Sequence, residues 1–131
     1  MANTRLFIGL GIAIWLVGVV LIRLLGPYVF DAGWLHILFF GANFIFGAIT
    51  VWAFAAIAGL SRHRMLVPTT VVAMVAMLLD GVAVTLDTAG VTHIYADTAE
   101  HAAYAGGLLL FAFWSAFFFA LLWHREAEEQ L

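Results

Sequence analysis

Apolar residues fill four long runs of this chain, and the polar ones collect in the gaps between them. A helix that crosses the hydrocarbon of a bilayer needs about 20 mainly apolar residues, and stretches at about 6–25, 34–60, 66–86 and 101–123 each meet that length. The pattern predicts an all-α, four-helix transmembrane bundle that forms a single integral membrane domain over 1–131. Local signals set the expected boundaries. Gly26-Pro27 should stop the first helix, because proline cannot continue the hydrogen-bond ladder. Ser61-Arg62-His63-Arg64 closes the second, and Pro68 sits near the start of the third, where a missing N–H costs nothing. The first run is long, contains Arg23, and is followed by no small-x-small cleavage pattern, so it reads as a mature helix and not as a signal peptide.

Composition agrees with the pattern. Of 131 residues 66% are hydrophobic and 10% charged, against about half and about a quarter in soluble domains, and the mean hydropathy is +1.09. Five basic residues against eight acidic ones give a net charge of −3, which leaves no basic surface for nucleic acid. The chain has no cysteine, so disulfides, thiol catalysis and cysteine-held zinc or iron–sulfur sites are excluded. Arginine placement sets the expected orientation, since loops kept in the cytoplasm carry the basic excess. Arg5, Arg62, Arg64 and Arg125 fall on one side of a four-span arrangement and Arg23 alone on the other. Both termini are therefore predicted to be cytoplasmic. Tyr28, Trp34, Tyr95 and Tyr104 would then sit at the outer interface, where amphipathic rings collect.

A charged side chain inside hydrocarbon demands a partner or a purpose. Asp80 is the main case, and Asp87 lies seven residues further on, on the same helix face. Arg23, near the outer end of the first helix, has a stem long enough to reach down, and an Arg23–Asp80 pair is expected, serving as a structural clasp or as a proton- or ion-responsive site. His36 and Asn43 are likewise seven apart on the second helix, with Asn43 read as interhelical glue. His101 and Tyr104 share a face near the start of the fourth. Arg23, His36, Asn43, Asp80, Asp87, His101 and Tyr104 together make a polar intramembrane cluster in the outer half. Gly11 with Gly18, and Gly41 with Ala48, offer small-residue stripes for helix packing.

The outer loop carries a second set of candidates. His93, Asp97 and His101 are spaced four and four, and one continuous helical face would present nitrogen, oxygen and nitrogen to zinc or copper. The competing reading is that Asp97-Thr98-Ala99-Glu100 forms a capping box that starts the fourth helix, which breaks that face. His36, His93 and His101 could still form a metal site as loop ligands, and His36 with His101 could hold a haem axially. Neither spacing compels a cofactor, and the simplest expectation is that there is none. His63 and His124 read as anchors at the opposite interface. No nucleophile elbow, phosphate loop or HExxH helix is present, so the chain reads more readily as a non-enzymatic protein than as an enzyme.

Trp15-Leu16, Arg23-Leu24, Gly26, Phe30, Met77-Leu78-Leu79-Asp80 and the small-and-aromatic stretch from Ala103 to Leu122 resemble a family of small bacterial four-span membrane proteins of unknown function. The resemblance implies a bacterial inner-membrane location and draws attention to Arg23 and Asp80; it brings no activity. The functional expectation is an accessory or transport-related subunit in contact with the lipid bilayer. A solute path through so small a bundle would require a homo-oligomer or a larger membrane complex.

Overall fold

A computed structural model describes residues 3–131. Among these, four helices follow one another: α1 over Thr4–Val29, α2 over Gly33–Ala58, α3 over Leu66–Thr88 and α4 over Ala99–Glu129, with a short 3-10 turn at Arg62–Arg64 between α2 and α3. All four are long and apolar enough to cross a membrane, and no strand occurs among the described residues. The fold is an all-α four-helix bundle. Hydrocarbon offers no partner to backbone N–H and C=O groups, so a chain of this composition must satisfy them within each segment, and the helix is the solution.

The ends of two helices differ from what the sequence leads one to expect. α1 does not stop at Gly26-Pro27 but runs through to Val29. Pro27 deletes only the one bond its own N–H would have made one turn back, and the Phe30 N–H still reaches the Gly26 carbonyl at 2.9 Å. Gly26 permits this turn because a Cβ there would stand 2.9 Å from the Phe30 ring. α4 begins two residues earlier and extends six residues beyond the apolar run, taking the charged tail with it to Glu129. α2 ends conventionally at Gly59, whose φ of 64° is the left-handed cap.

Packing runs from α1 to α3, from α3 to α4 and from α4 to α2, while α1 and α2 touch only lightly. The bundle is thus closed on three seams and loose on the fourth. Backbones approach closely where side chains are small. A Cβ on Gly11 would stand 2.9 Å from the Val72 carbonyl oxygen of α3, and one on Gly47 would collide with Ser115 and the Ala116 nitrogen of α4. Of the glycines in the expected stripes, Gly11 alone makes such a close approach. Gly41 has nothing near it and Gly18 meets only Leu109 at 3.9 Å, whereas Gly47 makes the tightest α2–α4 approach.

Two apolar cores stack along the bundle. The one near the chain termini gathers Phe7, Val51, Ala55, Met65, Val72 and Ala120. Its rim is tied by His63, whose Nδ1 lies 2.6 Å from the Trp123 carbonyl, by His124 Nδ1, 3.3 Å from the His63 carbonyl, and by Arg62 over the Trp123 ring. The other, at the distal end that carries the 30–32 and 89–98 connections, gathers Ile22, Phe30, Ala83, Tyr95, Ala96, Ala102, Ala105 and Leu108. The polar residues of interest surround this distal core.

Candidate functional site: a buried carboxyl beneath a tethered loop

Asp80 lies two turns before the end of α3 and is almost wholly buried. Its hydrogen-bond partner is the hydroxyl of Tyr95, which comes down from the connection between α3 and α4. Tyr95 is 1% exposed. Tyr95 therefore does not present its ring to the surroundings: the ring fills the distal core, and its hydroxyl donates to the Asp80 carboxyl. Burial, and then the hydrogen bond to and charge of Asp80, push the Tyr95 pKa up, so the hydroxyl remains a donor. The indole Nε1 of Trp15, on α1, is buried without a hydrogen-bond partner and stands near enough to the same hydroxyl to oppose that shift. Three helix-borne or loop-borne groups, Trp15, Asp80 and Tyr95, therefore meet at one point inside the bundle.

What places Tyr95 there is Asp87. Its carboxylate accepts the Thr92 hydroxyl at 2.6 Å and the backbone N–H groups of Ile94 at 2.8 Å, Tyr95 at 2.6 Å and Ala96 at 3.4 Å. The loop backbone has no helix or strand to satisfy these donors, and buried N–H groups cannot be left free. One side chain at the end of α3 does it for the whole turn, and so aims Tyr95 inward. Sequence spacing placed Asp87 on the Asp80 face but gave no sign that it serves the loop.

The expected Arg23–Asp80 pair is not formed. Arg23 instead binds Asp97, Nη2 to Oδ1 at 2.8 Å, with both side chains substantially exposed. The reason is solvation: at the distal rim a guanidinium keeps its water and still finds a carboxylate, whereas descending to Asp80 would bury the charge. The capping box is also corrected by one residue. Thr98 is the cap of α4, its hydroxyl accepting the His101 N–H at 3.2 Å, which leaves Asp97 free for Arg23. Because α4 starts at Ala99, His93, Asp97 and His101 do not share a helical face.

The remaining candidates form a separate ring cluster. His36 lies against Tyr104 at 4.7 Å between ring centroids, and Phe30 stands against His36, His101 and Tyr104 at 5.4 to 5.8 Å. His101 Nε2 lies 2.7 Å from Asp31, and the Tyr104 hydroxyl donates to Glu100 at 2.8 Å. The Phe30 ring packs against both His36 and His101. No group of three or more His, Asp or Glu side chains capable of holding a metal occurs among the described residues, so His36, His93, His101 and Asp97 do not come together as ligands. Asn43 is glue, as expected, its Nδ2 donating to the Leu108 carbonyl of α4 at 2.7 Å. Ser115 adds a second such clasp, donating to the Phe44 carbonyl at 2.5 Å.

The single polar cluster expected from sequence is thus three: Asp80 with Tyr95 and Trp15 inside, Arg23 with Asp97 on the rim, and the rings of His36, His101 and Tyr104 around Phe30. A cavity of about 200 Å³ between α3 and α4 borders Asp80, lined also by Met77, Gly81, Val84, Gly106 and Phe113. Asp80 thus bonds the Tyr95 hydroxyl and also lines an apolar crevice. Comparison of the chain with protein-family models, with curated proteins and with solved structures finds no match.

Proposed function

We propose that this chain is a non-enzymatic, transport-related or accessory subunit of the bacterial inner membrane, with both termini cytoplasmic, in which Asp80 is the ion-handling carboxyl and the 89–98 connection is its outer closure. The observation that carries this reading is the isolation of Asp80: a buried carboxyl within a membrane-spanning helix, without a cationic partner among the described residues, bonded to the Tyr95 hydroxyl and bordering an apolar cavity. A purely structural clasp would favour an arginine or lysine partner, since an unpaired carboxyl in hydrocarbon costs several kcal/mol. Intramembrane carboxylates kept in this state are characteristic of proton and cation pathways. The small size of the bundle calls for a second copy or a larger complex around it.

Proton flux into liposomes carrying the reconstituted protein and an internal pH dye tests the reading. Dissipation of an imposed gradient should exceed that of empty liposomes, fall to their level in Asp80→Asn, and rise in Tyr95→Phe. Flux that is unchanged in Asp80→Asn would remove Asp80 from the pathway. Co-purification of a larger membrane protein in mild detergent, lost in Asp80→Asn, would favour the accessory form of the reading.

A further inference from the structure

The loose seam between α1 and α2 holds a cavity of about 290 Å³, floored by Leu108, Leu109 and Ala112 of α4 and walled by Gly18, Leu21, Ile22 and Leu25 of α1 and by Phe39, Ala42, Asn43 and Phe46 of α2. It is distinct from the crevice beside Asp80. Its volume is about twice that of an engineered apolar cavity that takes up benzene and at the small end of the range for ligand pockets. Asn43 is its one strongly polar wall. The orientation of that amide is fixed, because its Nδ2 must be the atom that meets the Leu108 carbonyl. The Oδ1 atom is left as an acceptor on the cavity, with no donor among the described residues.

An acyl chain cannot answer an amide oxygen. Lipid tails filling this space would leave Oδ1 unpaired at hydrocarbon depth, which is the costly way to bury a polar atom. The rings of Phe39 and Phe46 lie four residues before and three after Asn43 on α2, on the same face, so the acceptor is flanked by aromatic surface one turn away on either side. We infer that the cavity binds a membrane-dissolved molecule with a hydroxylated aromatic ring, of the phenol or quinol class. Its ring lies between Phe39 and Phe46, its hydroxyl donates to Asn43 Oδ1, and it enters laterally from the bilayer through the α1–α2 seam. Gly18 keeps that entrance open: a Cβ there would meet only Leu109, at 3.9 Å, so a larger side chain would occupy the cavity without striking the backbone.

The test uses a matched pair, 4-hexylphenol and 4-hexylanisole, which share a ring and a tail and differ in the donor proton. Equilibrium dialysis against the protein in nanodiscs, with empty nanodiscs as the partition background, should give saturable uptake of the phenol, about tenfold tighter than that of the anisole, as the loss of one buried hydrogen bond implies. Asn43→Leu should bring the phenol down to the anisole, and Gly18→Leu should abolish saturable uptake of both. Equal affinity of wild type for phenol and anisole would overturn the role of the amide. Uptake no greater than in empty nanodiscs would overturn the site. Should Asn43→Leu fail to assemble, the phenol–anisole comparison on wild type and the Gly18→Leu variant still decide between these outcomes.

Discussion

Replacing Asp87 by Asn is the sharpest perturbation of the loop that aims Tyr95. The two side chains have the same shape, so packing is preserved, but an amide has only one accepting oxygen. Oδ1 of Asp87 serves Thr92 and Ile94, and Oδ2 serves Tyr95 and Ala96. Turned with Nδ2 toward Tyr95 and Ala96, the amide leaves both of those N–H groups unsatisfied; turned toward Thr92 and Ile94, it leaves the Ile94 N–H unsatisfied while the Thr92 hydroxyl can rotate to accept, and in either case the remaining bonds are to a neutral oxygen. Each hydrogen bond to a carboxylate is worth about 1.5–3 kcal/mol. Because losses within one network do not add, the expected cost is about 2–4 kcal/mol. Amide hydrogen exchange reads this locally, since the Ile94 and Tyr95 N–H groups bond to this side chain. Protection of at least one of the two should fall by a factor of roughly 30 to 1000, while amides in the α1–α3 contact near Gly11 and Val72 stay as they were. Unchanged protection at Ile94 and Tyr95 would refute the assignment of Asp87 as the loop's anchor.

Further consequences are open to test. Tyr95→Phe keeps the ring in the distal core and removes only the hydroxyl, leaving Asp80 without its donor; unfolding in mixed micelles should show a loss of about 1–3 kcal/mol, larger than that for Tyr104→Phe at the exposed Glu100 contact. Gly47→Val should disrupt α2–α4 packing severely, because its Cβ would collide with Ser115 and lie 2.8 Å from the Ala116 nitrogen, whereas Gly41→Val, with nothing within 4 Å, should be tolerated; thermal denaturation in detergent separates the two. Arg23 and Asp97 are exposed enough that a double-mutant cycle with Ala at each should give a coupling below about 1 kcal/mol, shrinking further with salt.

The spans and the bundle were legible in the sequence because hydrocarbon imposes a length and a composition that few other structures share. The seven-residue spacing that puts Asp80 and Asp87 on one face of α3, and His36 and Asn43 on one face of α2, was legible for the same reason: a helix converts spacing directly into direction. What could not be read was which polar group meets which. Arg23 had two carboxylates within plausible reach, Asp80 and Asp97, and the choice between them turns on water access at the rim, which spacing does not encode. Burial of the Tyr95 ring was not legible because it depends on the shape of the 89–98 turn, and that shape is dictated by hydrogen bonds to Asp87 from as far as nine residues on. Pro27 was read as a stop because the local rule is strong; it was overridden by a single turn that Gly26 leaves room for. The cap of α4 slipped by one residue because Asp97 and Thr98 are both competent caps, and Arg23 claims the aspartate.

The Asp80–Tyr95 contact is the centre of this account, and infrared difference spectroscopy of the protein in lipid reads it most directly. Subtracting the spectrum of Asp80→Asn from that of wild type isolates the carboxyl stretches of Asp80. The same subtraction performed in a Tyr95→Phe background should give bands at shifted frequency, because the hydroxyl that polarises the carboxyl is gone. Bands at the same position in both backgrounds would mean that Tyr95 does not hold Asp80, and the closure assigned to the 89–98 connection would fall with it.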